Sequence, residues 1–196
     1  MSEKKYVITI AREYGSGGRL IGQKLAEMLN ISFYDKEIIS LAAEESGLSE
    51  EFMRQHDQKK KPLSFVHNIY VSNKSLPLSE QIFQAQCQVI REVAEKSSCV
   101  IVGRCADHVL TDNPNCIKVF IQASEAEKIQ RIRHDYQETC ESPAAYAAKI
   151  DKERAAHYNY FTLEKWGNRQ NYHLVLNSTI EACALLIKQY VESFLA

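Results

Sequence analysis

The sequence has no surplus charge of either sign. Lys and Arg number 24 against 25 Asp and Glu, for a formal net charge of −1. That balance supplies no general attraction to nucleic acid or to an anionic membrane surface. No apolar run approaches the ~20 residues of a membrane span. The N-terminal Met1-Ser2-Glu3-Lys4-Lys5 passes straight into a strand pattern with no secretory hydrophobic region. Six cysteines (87, 99, 105, 116, 140 and 183) form no C-x-x-C pair, and several stand in apolar surroundings, such as Cys99 before Val100-Ile101-Val102. They read as reduced structural thiols of a cytoplasmic protein. The six histidines lack metal-ligand spacing, which argues against zinc. Neither Ser178 nor any cysteine has a histidine placed by sequence to activate it, so nucleophilic catalysis is unsupported. Internal repeats and low-complexity linkers are also lacking. What these absences leave is a soluble globular chain of 196 residues, 45% apolar and 25% charged, the size of one ordinary domain.

The chain is organised around Val7 to Leu29. The apolar run Val7-Ile8-Thr9-Ile10 predicts a strand, and Ala11-Arg12-Glu13-Tyr14 leads from it into Gly15-Ser16-Gly17-Gly18. From about Arg19, the spacing of Leu20, Ile21, Leu25, Met28 and Leu29 predicts a helix with one face toward a core. Strand, glycine turn and helix together make a phosphate cradle. Glycine lets the backbone turn tightly toward an anion, and the helix N-terminus adds N–H groups and partial positive charge. The loop matches neither common fingerprint. G-x-G-x-x-G fails at Leu20, and G-x-x-x-x-G-K-[ST] fails because no lysine follows the glycines. A merely structural strand-to-helix turn is the alternative.

Downstream the pattern is α/β throughout. Ile31 to Tyr34 reads as a second strand ending in Asp35-Lys36, with helices over 36–45 and 49–56, the latter capped by Ser49. Lys59-Lys60-Lys61-Pro62 reads as a solvated loop, and weak periodicity continues to about Pro77. A helix over 78–96, starting at Ser79, precedes the buried strand Cys99 to Val102, which ends in Gly103-Arg104. Ile117 to Ile121 is the next strand, and Ser124 caps the helix after it. A helix over 143–158 leads to an aromatic loop, Tyr158-Asn159-Tyr160-Phe161 through Trp166. The last strand, 172–176, precedes a C-terminal helix from Ile180. About five strands alternating with helices imply a parallel, doubly wound sheet. Ligands of such sheets sit outside the carboxyl ends of the strands. Arg12 to Arg19, Asp35, Gly103-Arg104 and Asn177 all fall there.

These stretches resemble the cytidylate kinase-like family, relatives of the P-loop nucleoside monophosphate kinases. The resemblance is carried by ITIAREYGSGGR at 8–19, by Cys99 to Arg104, by Ile117 to Ser124 with Arg131 beyond, and by Lys152-Glu153-Arg154 followed by Tyr158, Tyr160, Trp166 and 172–177. It implies a three-layer P-loop kinase fold over residues 1–196, with a mobile acceptor-binding segment at 36–77 and a mobile lid at 132–165. It also implies ATP and Mg2+ as cofactors and CMP or a similar monophosphate as acceptor. Compared without gaps with ordinary cytidylate kinases, Arg12 falls at the first loop glycine, Gly18 at the lysine and Arg19 at the Ser/Thr. Val102 takes the place of an Asp, Leu41 that of an acceptor-site arginine, and His157 and Tyr158 those of a lid Arg and Asp.

Phosphoryl transfer requires positioning and positive charge rather than a covalent nucleophile. Arginine's fork of donors suits phosphate. The candidates are Arg12, Gly15, Ser16, Gly17, Gly18 and Arg19 for the nucleotide phosphates, with Arg19 in the place of the lysine. Asp35 and Arg104 are the candidates for the acceptor, and Arg19, Arg131 and Arg154 for the transfer itself; Arg133 is a weaker candidate. Each of these arginines has a solvated surface role as its alternative, and Asp35 a helix-capping one. Three functional readings follow: a nucleoside monophosphate kinase, a nucleotide-binding regulator with weak catalysis acting through a partner domain or homodimer, and a kinase for another small acceptor.

Overall fold

Alternation along the strands decides the architecture. In a computed structural model describing residues 5–46, 51, 77–177 and 179–195, five strands form one all-parallel sheet in the order β2-β3-β1-β4-β5. They are β1 (Val7–Arg12), β2 (Ser32–Tyr34), β3 (Cys99–Val102), β4 (Cys116–Ile121) and β5 (Leu174–Leu176). The helices are α1 (Gly18–Leu29), α2 (Glu37–Ser46), α3 (Leu78–Lys96), α4 (Ala106–Val109), α5 (Glu125–His134), α6 (Pro143–Thr162) and α7 (Ile180–Leu195). Successive strand side chains point to opposite faces. Val7, Cys99, Ile101 and Cys116 therefore meet Ile38, Ile82 and Ile90 of α2 and α3 in one layer. Ile8, Ile10, Val100, Val102 and Ile117 meet Ile21, Leu25 and Ile187 of α1 and α7 in the other. Both faces are covered, which is why the inner strands carry continuous apolar runs.

The strand at 7–10 extends two residues further, so Arg12 is its last residue, opposite Ile121 of β4, rather than part of the loop. The aromatic loop expected from Tyr158 is instead the last turn of α6. Phe161 stacks on Phe83 of α3 at 4.1 Å, and Leu163 ends the helix in a left-handed conformation. The last strand is shorter than its pattern: Tyr172 and His173 lead into β5, with the Lys118 N–H donating to His173 Nδ1 at 2.9 Å. Ser124 caps α5 in a reciprocal box with Glu127, as expected. The cap of α3 is Pro77, with no side-chain hydrogen bond from Ser79. The expected helix over 49–56, the lysines 59–61 and Ser178 lie outside the described residues. No helix among those described is long and apolar enough to cross a membrane.

Candidate active site

The carboxyl ends of β1, β2 and β3 bring three sequence candidates together. Arg12 leaves the end of β1, Arg19 lies in the first turn of α1, and both reach Asp35 at the end of β2. Arg19 Nε lies 2.9 Å from one carboxylate oxygen, and Arg12 Nη2 lies 3.8 Å from the other. Arg19 is half exposed, whereas Arg12 and Asp35 are largely enclosed. Asp35 does not cap α2 by its side chain: its backbone N–H donates to Glu37 Oε2 at 2.9 Å. Burial first, and then the Arg154 charge, pull the proton affinity of Arg12 down to about 9, with Arg104 adding to the effect and Asp35 opposing it.

Between β1 and α1 the chain turns through Gly15 at φ +78° and Gly17 at φ +83°, a region closed to most side chains. Ser16 is buried and turned inward, its hydroxyl donating to Glu13 O at 2.8 Å. The guanidinium over Gly17 belongs to Arg131 of α5, not to Arg19. A Cβ at Gly17 would stand 3.2 Å from Arg131 Nε, and Arg131 Nη1 donates to Gly15 O at 2.5 Å. Arg154 of α6 donates to Arg12 O at 3.0 Å, and its guanidinium lies 5.4 Å from the centre of the Tyr14 ring. Two of the transfer candidates thus hold backbone carbonyls, Arg131 one in the loop and Arg154 the last of β1.

Sequence reasoning missed the remaining grips on the loop. Lys128 Nζ lies 2.6 Å from Glu13 and 3.8 Å from Asp151, and Asp151 accepts the Tyr14 N–H at 2.6 Å. Burial still holds the Asp151 carboxyl above its ordinary range, against the pull of Tyr14, Arg154 and Lys128. Tyr14 packs edge-on against Tyr136 and Tyr146 and donates to Glu138 at 3.0 Å. Burial pushes the Tyr136 hydroxyl up, against the charges of Arg131, Arg154 and Arg12.

Beyond β3, Gly103, Arg104 and Cys105 are all left-handed, at φ +78°, +56° and +54°. Two of these are not glycine, a costly arrangement of the sort that clusters at functional sites. The turn sets Arg104 beside Arg12 and Arg154 in an open hollow walled by Asp107, Tyr158 and Trp166. Tyr158 donates to the buried Asp107 at 2.8 Å, and Glu164 accepts from Asn171 at 2.7 Å while facing His108 at 3.2 Å. Burial pushes the Asp107 carboxyl up. Its one sequence signal is an acid set inside the otherwise apolar Cys105-Ala106 and Val109-Leu110. Arg133, the weaker candidate, is exposed on α5.

A five-stranded parallel sheet of this order, with a glycine loop between its central strand and first helix, is the P-loop kinase fold. The chain belongs to the cytidylate kinase-like family, whose model matches residues 7–180. An uncharacterised protein from Eubacterium ventriosum is 29% identical, with a TM-score of 0.72 over 96% of this chain and 99% of its own. Shikimate kinase from Bacteroides thetaiotaomicron (16% identity, TM-score 0.58, covering 95% and 98%) shares the fold. So does a gluconokinase from Sinorhizobium meliloti (14%, TM-score 0.55, 97% of both chains). No curated protein is significantly similar to the sequence.

Proposed function

We propose that the chain is a small-molecule phosphotransferase that moves the γ-phosphoryl group of ATP to the phosphate of a nucleoside monophosphate, with CMP first among the acceptors. The observation that carries this reading is the set of guanidiniums of Arg12, Arg104 and Arg154 lining one hollow beside the glycine loop. A doubly charged acceptor phosphate answers that charge, and Arg supplies it with paired donors. In the transfer, an acceptor phosphate oxygen forms the new P–O bond to the γ-phosphorus. The bond from that phosphorus to the bridging oxygen breaks, and ADP leaves with the electron pair. The acceptor oxygen is already unprotonated near pH 7, so no general base is needed. Gly15 to Gly18 cradle the donor phosphates, Arg131 covers them, Arg104 grips the acceptor phosphate, and Arg154 ties the lid to the entry of the loop.

Mg2+ is the usual companion of such nucleotides, but the side chains here do not form a cage for it. Among the described residues no three acids, histidines or cysteines converge. The Asp35 oxygens face Arg12 and Arg19, Ser16 is turned to Glu13 O, and Val102 offers no carboxylate. No step of the transfer is assigned to the metal.

Gly18 and Val102 favour a second reading, a nucleotide-binding regulator with weak catalysis. A coupled ADP-release assay over a panel of nucleoside monophosphates, shikimate and gluconate separates the readings. The kinase reading expects turnover with a monophosphate. Silence with every acceptor, beside measurable ATP or CMP binding, selects the regulator. Turnover confined to a non-phosphorylated acceptor selects a different kinase.

A further inference from the structure

The loop departs twice from G-x-x-x-x-G-K-[ST], and the two departures occupy one space. Arg12 stands where that pattern has its first glycine, and Gly18 where it has its lysine. A Cβ on Gly18 would lie 2.6 Å from Arg12 Cβ and 3.0 Å from its Cγ. The Arg12 Cβ is fixed by the backbone and no rotation moves it away, so positions 12 and 18 cannot both carry side chains in this backbone. The Arg12 stem runs across Gly18, and its Nη1 comes 2.1 Å from where a Gly103 Cβ would be. Two glycines therefore clear a channel for one arginine. The channel ends between the loop and the hollow, with Asp35 on one side and Arg104 and Arg154 close enough to act on the guanidinium.

Other cations near the loop are committed elsewhere. Arg131 gives Nη1 to Gly15 O, Arg154 gives Nη1 to Arg12 O, and Arg19 pairs with Asp35 from the half-exposed side. Arg12 shares that one carboxylate and is 16% exposed, so the buried charge balance around it is positive.

We infer that Arg12 is the cation that meets the transferring phosphoryl group, taking from the strand end the role that lysine has at the helix start, and that Gly18 is glycine because its path requires it. The inference rests on the kinase reading of the site above.

Four variants test it: Arg12→Gln, Arg12→Gly, Gly18→Lys, and Arg12→Gly with Gly18→Lys. Melting temperature, ATP affinity by calorimetry, and kcat and KM for the acceptor are measured on each. Arg12→Gln keeps the stem, so it should stay folded and lose about 100-fold in kcat, the effect of removing one donor aimed at transferring charge. Gly18→Lys alone should lower both melting temperature and activity, because its Cβ overlaps Arg12. The double variant should melt above Gly18→Lys and regain at least tenfold in kcat over Arg12→Gly. Arg12→Gln within threefold of the parent, or a double variant no better than either single, overturns the inference while leaving the kinase reading in place. A parent protein that neither binds ATP nor phosphorylates any acceptor overturns both.

Discussion

The glycine loop and the neighbouring hollow meet at Arg12 but are built on different electrostatic plans. On the loop side the cations have carboxylates beside them: Lys128 has Glu13 and Asp151, Arg131 has Asp135, and Arg154, which reaches from the loop into the hollow, shares Asp151 with Lys128. On the hollow side Arg12 and Arg19 share Asp35, while the deeper Asp107 is held by Tyr158. The loop is shaped by the protein's own pairs before any ligand arrives. The hollow carries surplus positive charge that an anionic ligand completes. On the proposed reading, preorganisation of the first kind fixes geometry for the donor, and surplus of the second kind selects the acceptor.

The largest expected effect comes from removing the shared carboxylate. Asp35→Ala leaves Arg12 buried without its counter-charge, and breaking such a pair costs about 3 kcal/mol of folding stability. Denaturant unfolding measures it, and a loss under about 1 kcal/mol would mean that the hollow tolerates its charge unaided. Next, Arg104→Ala should weaken acceptor use by about 1.5–3 kcal/mol, the scale of a hydrogen bond to a charged group. ATP affinity should be largely unchanged in that variant. The reverse pattern in calorimetry would move Arg104 to the donor side and erase the contrast. Arg131→Ala is the mirror experiment. It should weaken ATP binding about tenfold through the loss of its hold on the loop, with the acceptor KM nearly constant.

The smallest effect is one of pH. Burial raises the Asp107 carboxyl above the ordinary value of 3.8, so the folded chain holds that proton more firmly than the unfolded chain does. The contribution of this group is therefore most favourable below that value and declines as pH rises through the elevated pKa. Asp107→Asn has no carboxyl to ionise. The parent's stability relative to this variant should fall as pH rises above 3.8, read from paired melting curves. A constant or rising difference would contradict it.

The parts of the molecule that were legible in sequence are those where local pattern and burial coincide. Val7 to Ile10, Cys99 to Val102 and Ile117 to Ile121 are apolar runs interrupted only by Thr9 and Lys118, and they proved to be inner strands, buried except at Lys118. The capping box at Ser124 is a local motif and was equally readable. The end of α6 was not, because Tyr158, Tyr160 and Phe161 read as a loop until Phe83, 78 residues earlier than Phe161, stacks on the helix. In the site, Arg12, Arg104 and Asp35 could be nominated by position at strand ends, Arg19 by position at a helix start, and Arg131 and Arg154 by resemblance. Their pairing could not. Nothing in spacing says that Arg19 turns to Asp35, or that Arg131, more than a hundred residues away, lies over Gly17. Asp107 with Tyr158 and Lys128 with Glu13 are likewise contacts made only by folding.

The distribution of the thiols has a practical consequence for testing the proposed nucleotide site. Cys87, Cys99, Cys105, Cys116 and Cys183 are buried, and only Cys140 is partly open. Burial pushes the Cys87 and Cys116 thiols up to about 11 and Cys99 up to about 12, which suppresses their reactive thiolates. A maleimide dye added to the native chain should therefore attach once, between α5 and α6, in the segment whose Tyr136 and Glu138 touch Tyr14 of the loop. The chain thus offers a single native labelling position beside the cradle, and under the proposed function nucleotide binding should change the signal of a dye placed there.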